Sequence, residues 1–159
     1  MPRSGHRRSG APLKIKSRIA LVALPAIFAA GCSSTESKNE YVDTVNGIQN
    51  TVIEASNSLS SAPVTSDEDA VSAFEKAEAE VEAAVDQLDE VDVPSEVQPG
   101  HDELLSGFEN LSKLITDVRE QVEDGSGRGA FQELRTEGAE IDKRIDDAIT
   151  QINTELGAE

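Results

Sequence analysis

The chain has 159 residues, with 14 Lys and Arg, 31 Asp and Glu, two His and one Cys. Charge divides it sharply: the first 31 residues carry six basic side chains and no acid, and the rest carry eight basic against 31 acidic, a net of −23. Such a body repels phosphate, which excludes nucleic-acid binding by it, and a single Cys excludes both an internal disulfide and a Cys-based zinc site.

In chain order the first element is an address. Arg3, Arg7, Arg8, Lys14, Lys16 and Arg18 precede an unbroken apolar stretch, Ile19 to Ala30, of 12 residues. A bilayer span needs about 20 apolar residues, so this stretch has the length of a signal-peptide core behind a basic flank. It ends at Ala29-Ala30-Gly31-Cys32, followed by the polar run Ser33-Ser34-Thr35-Glu36-Ser37. On those residues the chain resembles a bacterial lipoprotein precursor. The resemblance implies cleavage between Gly31 and Cys32, a diacylglycerol on the Cys32 thiol and palmitate-type acylation of the new amine. It also implies attachment to the extracytoplasmic face of the cell membrane. Ala29 stands where that family usually has Leu, and Ala there also suits ordinary signal-peptidase cleavage after Gly31, which would give a secreted protein with a free thiol. Arg7-Arg8 resembles a twin-arginine export signal, but Ser9-Gly10-Ala11-Pro12 lacks the apolar residues expected next, so the export route stays open. Two acyl chains suffice for stable anchoring, and a body of this charge gains nothing from anionic lipid. The expected organisation is a signal peptide over 1–31, a lipidated Cys and flexible tether over 32–37, and an acidic helical domain over 38–159.

The remainder holds four segments whose apolar positions step by four and three, the period of helices packed along a seam. The first covers about 38–60 with Tyr41, Val45, Ile48, Val52, Ala55 and Leu59. The second covers about 66–91 with Ala70, Phe74, Ala77, Val81, Ala84, Leu88 and Val91. The third covers about 95–123 with Val97, His101, Leu104, Phe108, Leu111, Ile115, Val118 and Val122. The fourth covers about 129–156 with Phe131, Leu134, Gly138, Ile141, Ile145, Ala148, Ile152 and Leu156. Ala62-Pro63 ends the first helix, because the residue before Pro leaves the helical region. Thr65 with Glu68 reads as a capping box for the second. Pro99-Gly100 places either a kink or the true start of the third helix near Pro99. Asp124 to Gly129 reads as a flexible glycine link. Short links and matched lengths predict an all-α fold, an antiparallel up-down-up-down four-helix bundle. A long hairpin or coiled coil that dimerises through the same seams fits the spacing equally, so the oligomeric state stays open.

Among candidate sites, His101 is the one imidazole left once His6 departs with the signal peptide. On a seam beside Asp102 and Glu103 it is either a ligand-facing, pH-sensitive group at the bundle mouth or a hydrogen-bonded packing residue. With Met1 as the one Met, no haem pair can form, and no cofactor is expected. Asp124, Ser126, Gly129 and Phe131 imitate a calcium loop, but places five and twelve are Arg128 and Arg135, where oxygen ligands belong, so no metal is expected. Asp86, Asp89, Glu90 and Asp92, with Asp142, Asp146 and Asp147, read as solvated acidic faces, since no Glu-x-x-His accompanies them. No Gly-x-Ser-x-Gly or phosphate loop is present. Gly138 on the fourth seam points to a close helix approach. The expectation is a noncatalytic domain that contacts the membrane through the lipid on Cys32 and meets an envelope protein, with no nucleic-acid partner. The alternative is a binder of a cationic or apolar small ligand within the bundle, with His101 at its mouth. An interaction module of this kind should leave an apolar strip exposed once the helices close.

Overall fold

The computed structural model describes residues 33–157. They form four helices and, among the described residues, no strand: α1 (Ser33–Ser61), α2 (Asp67–Asp89), α3 (Gln98–Glu123) and α4 (Gly127–Leu156). The signal peptide and Cys32 lie outside the described residues. α1 begins at Ser33 and so takes in residues 33–37, which the sequence assigns to a tether. Glu36 lies in its first turn, where the helix dipole favours an anion, and Lys38 pairs with Glu96 at 2.6 Å, fixing that turn to the connection ahead of α3.

The boundaries follow local chemistry. α2 is capped by Ser66, one residue later than the expected Thr65: Ser66 Oγ accepts from the Asp69 amide at 3.1 Å. Asp69 in turn accepts from the Thr65 amide and hydroxyl. α3 starts at Gln98 with Pro99 in its first turn, where the missing donor costs nothing. The link after α3 is a defined cap rather than a loose chain. Gly125 takes the left-handed conformation at φ 82°, the Ser126 amide donates to Gln121 at 2.8 Å, and the Gly125 amide donates to Val122 at 3.0 Å. That pair of bonds is the Schellman arrangement, and it delivers the chain straight into α4.

Most predicted seam residues lie in the core, which also takes in Val42, Leu114, Ala130 and Ile149, while Leu59, Val91 and Leu134 are only partly buried against it. Val45, Val52, Ala55, Val81, Ala84, Leu88, Leu104, Phe108, Val118 and Ile152 are fully buried, and Phe131 packs half-buried against Phe74 with ring centroids 5.9 Å apart. Consecutive helices pack along one another, α3 with α4 most extensively. Their register is explicit. A Cβ on Gly100 would fall 2.7 Å from Ile152 Cγ1, one on Gly107 2.7 Å from Ile145 Cγ1, and one on Gly138 3.8 Å from Leu114. Each seven-residue step forward on α3 is a seven-residue step back on α4, so these two helices run antiparallel. The close approach expected at Gly138 belongs instead to Gly100 and Gly107, and Gly138 has room for a methyl group.

Candidate functional site

Gly31 and Cys32, the predicted cleavage and lipidation residues, lie outside the described residues.

His101 stands in the first turn of α3 and is 3% exposed. Its Nδ1 is 3.2 Å from the Tyr41 hydroxyl of α1, with the two rings tilted at 56°. The backbone carbonyl of Leu88, at the end of α2, favours the charged form of the ring. In the tautomer with Nδ1 unprotonated, Nδ1 accepts from the Tyr41 hydroxyl. Burial pushes the imidazole below its ordinary pKa, outweighing Asp102, the Leu88 carbonyl and Asp89, which favour the charged form. Burial, and then the nearby Glu155 charge, raise the Tyr41 phenol far above its usual range, so its hydroxyl stays a donor. In this geometry His101 is a buried, hydrogen-bonded residue between α1 and α3.

A surface groove of about 510 Å³ lies elsewhere, between α2 and α3, lined by Glu82, Val85, Asp86, Glu109, Ser112, Lys113 and Thr116. Three carboxylates against one ammonium make it electronegative, and Lys113 is already paired with Asp117. Of these residues the sequence singles out Asp86 alone. Glu82 and Glu109 occupy ordinary outer positions, and only the docking of α2 on α3 brings them together. Beside the groove, Glu78 accepts from the Thr116 hydroxyl at 2.7 Å and from Arg119 Nε at 2.8 Å, tying α2 to α3.

The acidic positions divide. Asp86, Asp89, Glu90 and Asp92 are exposed as expected. On α4, Asp147 is exposed and pairs with Lys143, whereas Asp142 and Asp146 are half-buried. Burial, and then the neighbouring Asp146 charge, push the Asp142 carboxyl up to about 6. Asp146 is also raised, by burial first and then by Asp147. That stretch of α4 is therefore not the solvated face the sequence suggests. Gln49 is a second polar residue the sequence reading passes over: it is 2% exposed on α1, and its Nε2 has no partner among the described residues.

No protein-family model, curated protein or solved structure matches the chain.

The calcium-like segment does not adopt a loop, since Gly127–Leu156 is helical and within the segment the left-handed residue is Gly125 rather than Gly129. Among the described residues no three His, Cys, Asp or Glu side chains converge as a metal site, and no helix is long and apolar enough to cross a membrane. The large apolar side chain left exposed among them is Val64, at 49%, so the expected apolar strip is not present there.

Proposed function

We propose that the protein is an exported, lipid-anchored module whose acidic helical domain acts without catalysis, by holding an envelope protein at the membrane surface. In this reading the helices form an up-down-up-down bundle, and α1 leads directly from the acylated Cys32. The antiparallel register of α3 and α4 supports that topology. The observation that carries the role is where the chemistry goes. Apolar side chains are used up in the seams, the one imidazole after residue 31 is engaged by Tyr41 and Leu88, and what remains outside is carboxylate. A partner is then met through charge and is basic in character.

Two measurements test this. Cys32→Ala should move the protein from the membrane fraction to the soluble fraction; a variant that still sediments with membranes refutes the lipid anchor. Capture from whole envelope should recover a basic protein when crosslinker is added at low ionic strength and not when it is added at high ionic strength, since salt screens exposed charge over shorter distances. Recovery unaffected by salt refutes charge-based recognition.

The groove between α2 and α3 favours a second reading, the binding of a small cationic ligand among Glu82, Asp86 and Glu109. Such a ligand would raise the melting temperature, and the rise would continue logarithmically with its concentration above Kd.

A further inference from the structure

A buried polar contact between α1 and α3 has a consequence beyond the role proposed above. Tyr41 and His101 are 2% and 3% exposed, and their 3.2 Å bond joins residues sixty positions apart. With the ring neutral and Nδ1 unprotonated, the hydroxyl donates to Nδ1. Protonation makes Nδ1 a donor facing a donor. The hydroxyl must then turn its oxygen to the ring and find another acceptor for its own proton, with the Glu155 carboxylate nearby. The new charge is desolvated as well.

We propose that the Tyr41–His101 pair is a pH-sensitive latch, pinning the first half of α1, which packs along α2, to the start of α3 while the imidazole is neutral and loosening it when the imidazole is charged. The charged and titratable groups around the latch come from every neighbouring element. They are Lys38 on α1, Asp89 on α2, Glu96 in the α2–α3 connection, Asp102 on α3 and Glu155 on α4. Asp89 and Asp102 ease protonation, whereas burial opposes it and prevails. Lys38 holds the Glu96 carboxyl below its usual range, so their ion pair survives mild acid and limits the change to a loosening rather than a departure of α1. The direction follows from linkage. A ring held below its ordinary value takes up its proton more readily when the contact is open. The closed contact is thus fully favoured above the ordinary histidine value of about 6.5 and weakens as pH falls through it.

The full-length chain is suited to the test, because Tyr41 is its one Tyr and it has no Trp. Amide hydrogen exchange, corrected for intrinsic rates, is compared at pH 7.5 and pH 5.0. In parallel, NMR follows the imidazole titration, with His6 distinguished by its persistence in His101→Gln. The expected result is a several-fold loss of protection around Tyr41 at pH 5.0, unchanged protection along the α3–α4 seam, and a His101 midpoint below 6.5. His101→Gln should abolish the pH dependence in α1. Should that variant fail to fold, Tyr41→Phe provides the second arm: without the hydroxyl donor the neutral ring is less favoured, so the His101 midpoint moves up and α1 protection falls already at pH 7.5. Equal α1 protection at both pH values, a pH dependence that survives His101→Gln, or an unmoved midpoint in Tyr41→Phe overturns the latch.

Discussion

Gly107→Ala and Gly138→Ala form a matched pair on one seam. Both sites are helical, and both substitutions gain up to about 1 kcal/mol of intrinsic helix propensity. At Gly138 the new methyl lies 3.8 Å from Leu114 Cδ2, an ordinary contact. At Gly107 it lies 2.7 Å from Ile145 Cγ1, roughly 1 Å inside the carbon–carbon optimum of about 3.5–4.0 Å. Ile145 cannot swing aside easily, because Cγ1 hangs from a branched Cβ whose rotation in a helix is restricted. Its Cα is only 3.9 Å from the same point, so relief requires α3 and α4 to separate. Overpacking of this kind costs about 1–3 kcal/mol. The propensity gain cancels between the two variants, so Gly107→Ala should be less stable than Gly138→Ala by about 1–3 kcal/mol. Urea unfolding followed by circular dichroism measures this directly, with unchanged slopes confirming that stability alone has moved. Combining Gly107→Ala with Ile145→Ala should recover part of the loss as a favourable coupling. Equal stability of the two glycine variants would refute the register of α3 on α4.

Further outcomes follow from the polar contacts. The fold raises the Asp142 carboxyl to about 6 from an unfolded value near 3.9, so the fold favours its protonated form. Its contribution is full below about pH 4 and is lost as pH rises through about 6. Asp142→Asn should therefore stabilise the protein at pH 7.5, by about 1 kcal/mol once partial solvent screening is allowed for, and leave stability at pH 3.5 unchanged; equal effects at both pH values would refute the burial of this carboxyl. Glu78→Gln removes the anion shared by Arg119 and Thr116, and should lower the melting temperature in dilute buffer. The deficit should shrink at 1 M salt, where charge is screened within about 3 Å, and a deficit independent of salt would assign the effect to packing.

The seams were legible because burial repeats with the helix: Tyr41, Val45, Ile48 and Val52 on α1, or Leu104, Phe108, Leu111 and Ile115 on α3, need only one chain's periodicity to be found. What the sequence hid depends on two chains at once. Gly138 sits on its seam as Gly100 and Gly107 sit on theirs, but which glycine meets a branched side chain is set by the register of the partner helix. Gln49 and Asp142 occupy flanks whose burial depends on how far a neighbouring helix wraps round. His101 read as a seam residue, correctly, yet its partner Tyr41 stands on another helix, and nothing local to either residue announces the bond. The ends misled for a different reason. Thr65 and Ser66 are both competent caps, and the Ser66–Asp69 pairing decided between them. Residues 33–37 are polar enough for a tether, but Glu36 and the Lys38–Glu96 pair favour continuing the helix.

How the core spends its apolar side chains constrains recognition. With Val64 the exposed large apolar side chain among the described residues, a partner approaching the closed domain finds carboxylates, half-paired lysines and little to desolvate favourably. Recognition of that surface should be fast, sensitive to ionic strength and modest in affinity, because long-range charge speeds encounter more than it deepens binding. Among the described residues, a partner that binds by burying apolar area finds it in the seams. Loosening of α1 at the Tyr41–His101 contact would uncover Val42, Val45 and the facing part of α2. The two modes are thus separable by one titration: binding to the closed form weakens with salt and is indifferent to His101→Gln, whereas binding to the loosened form strengthens in acid and is lost in that variant.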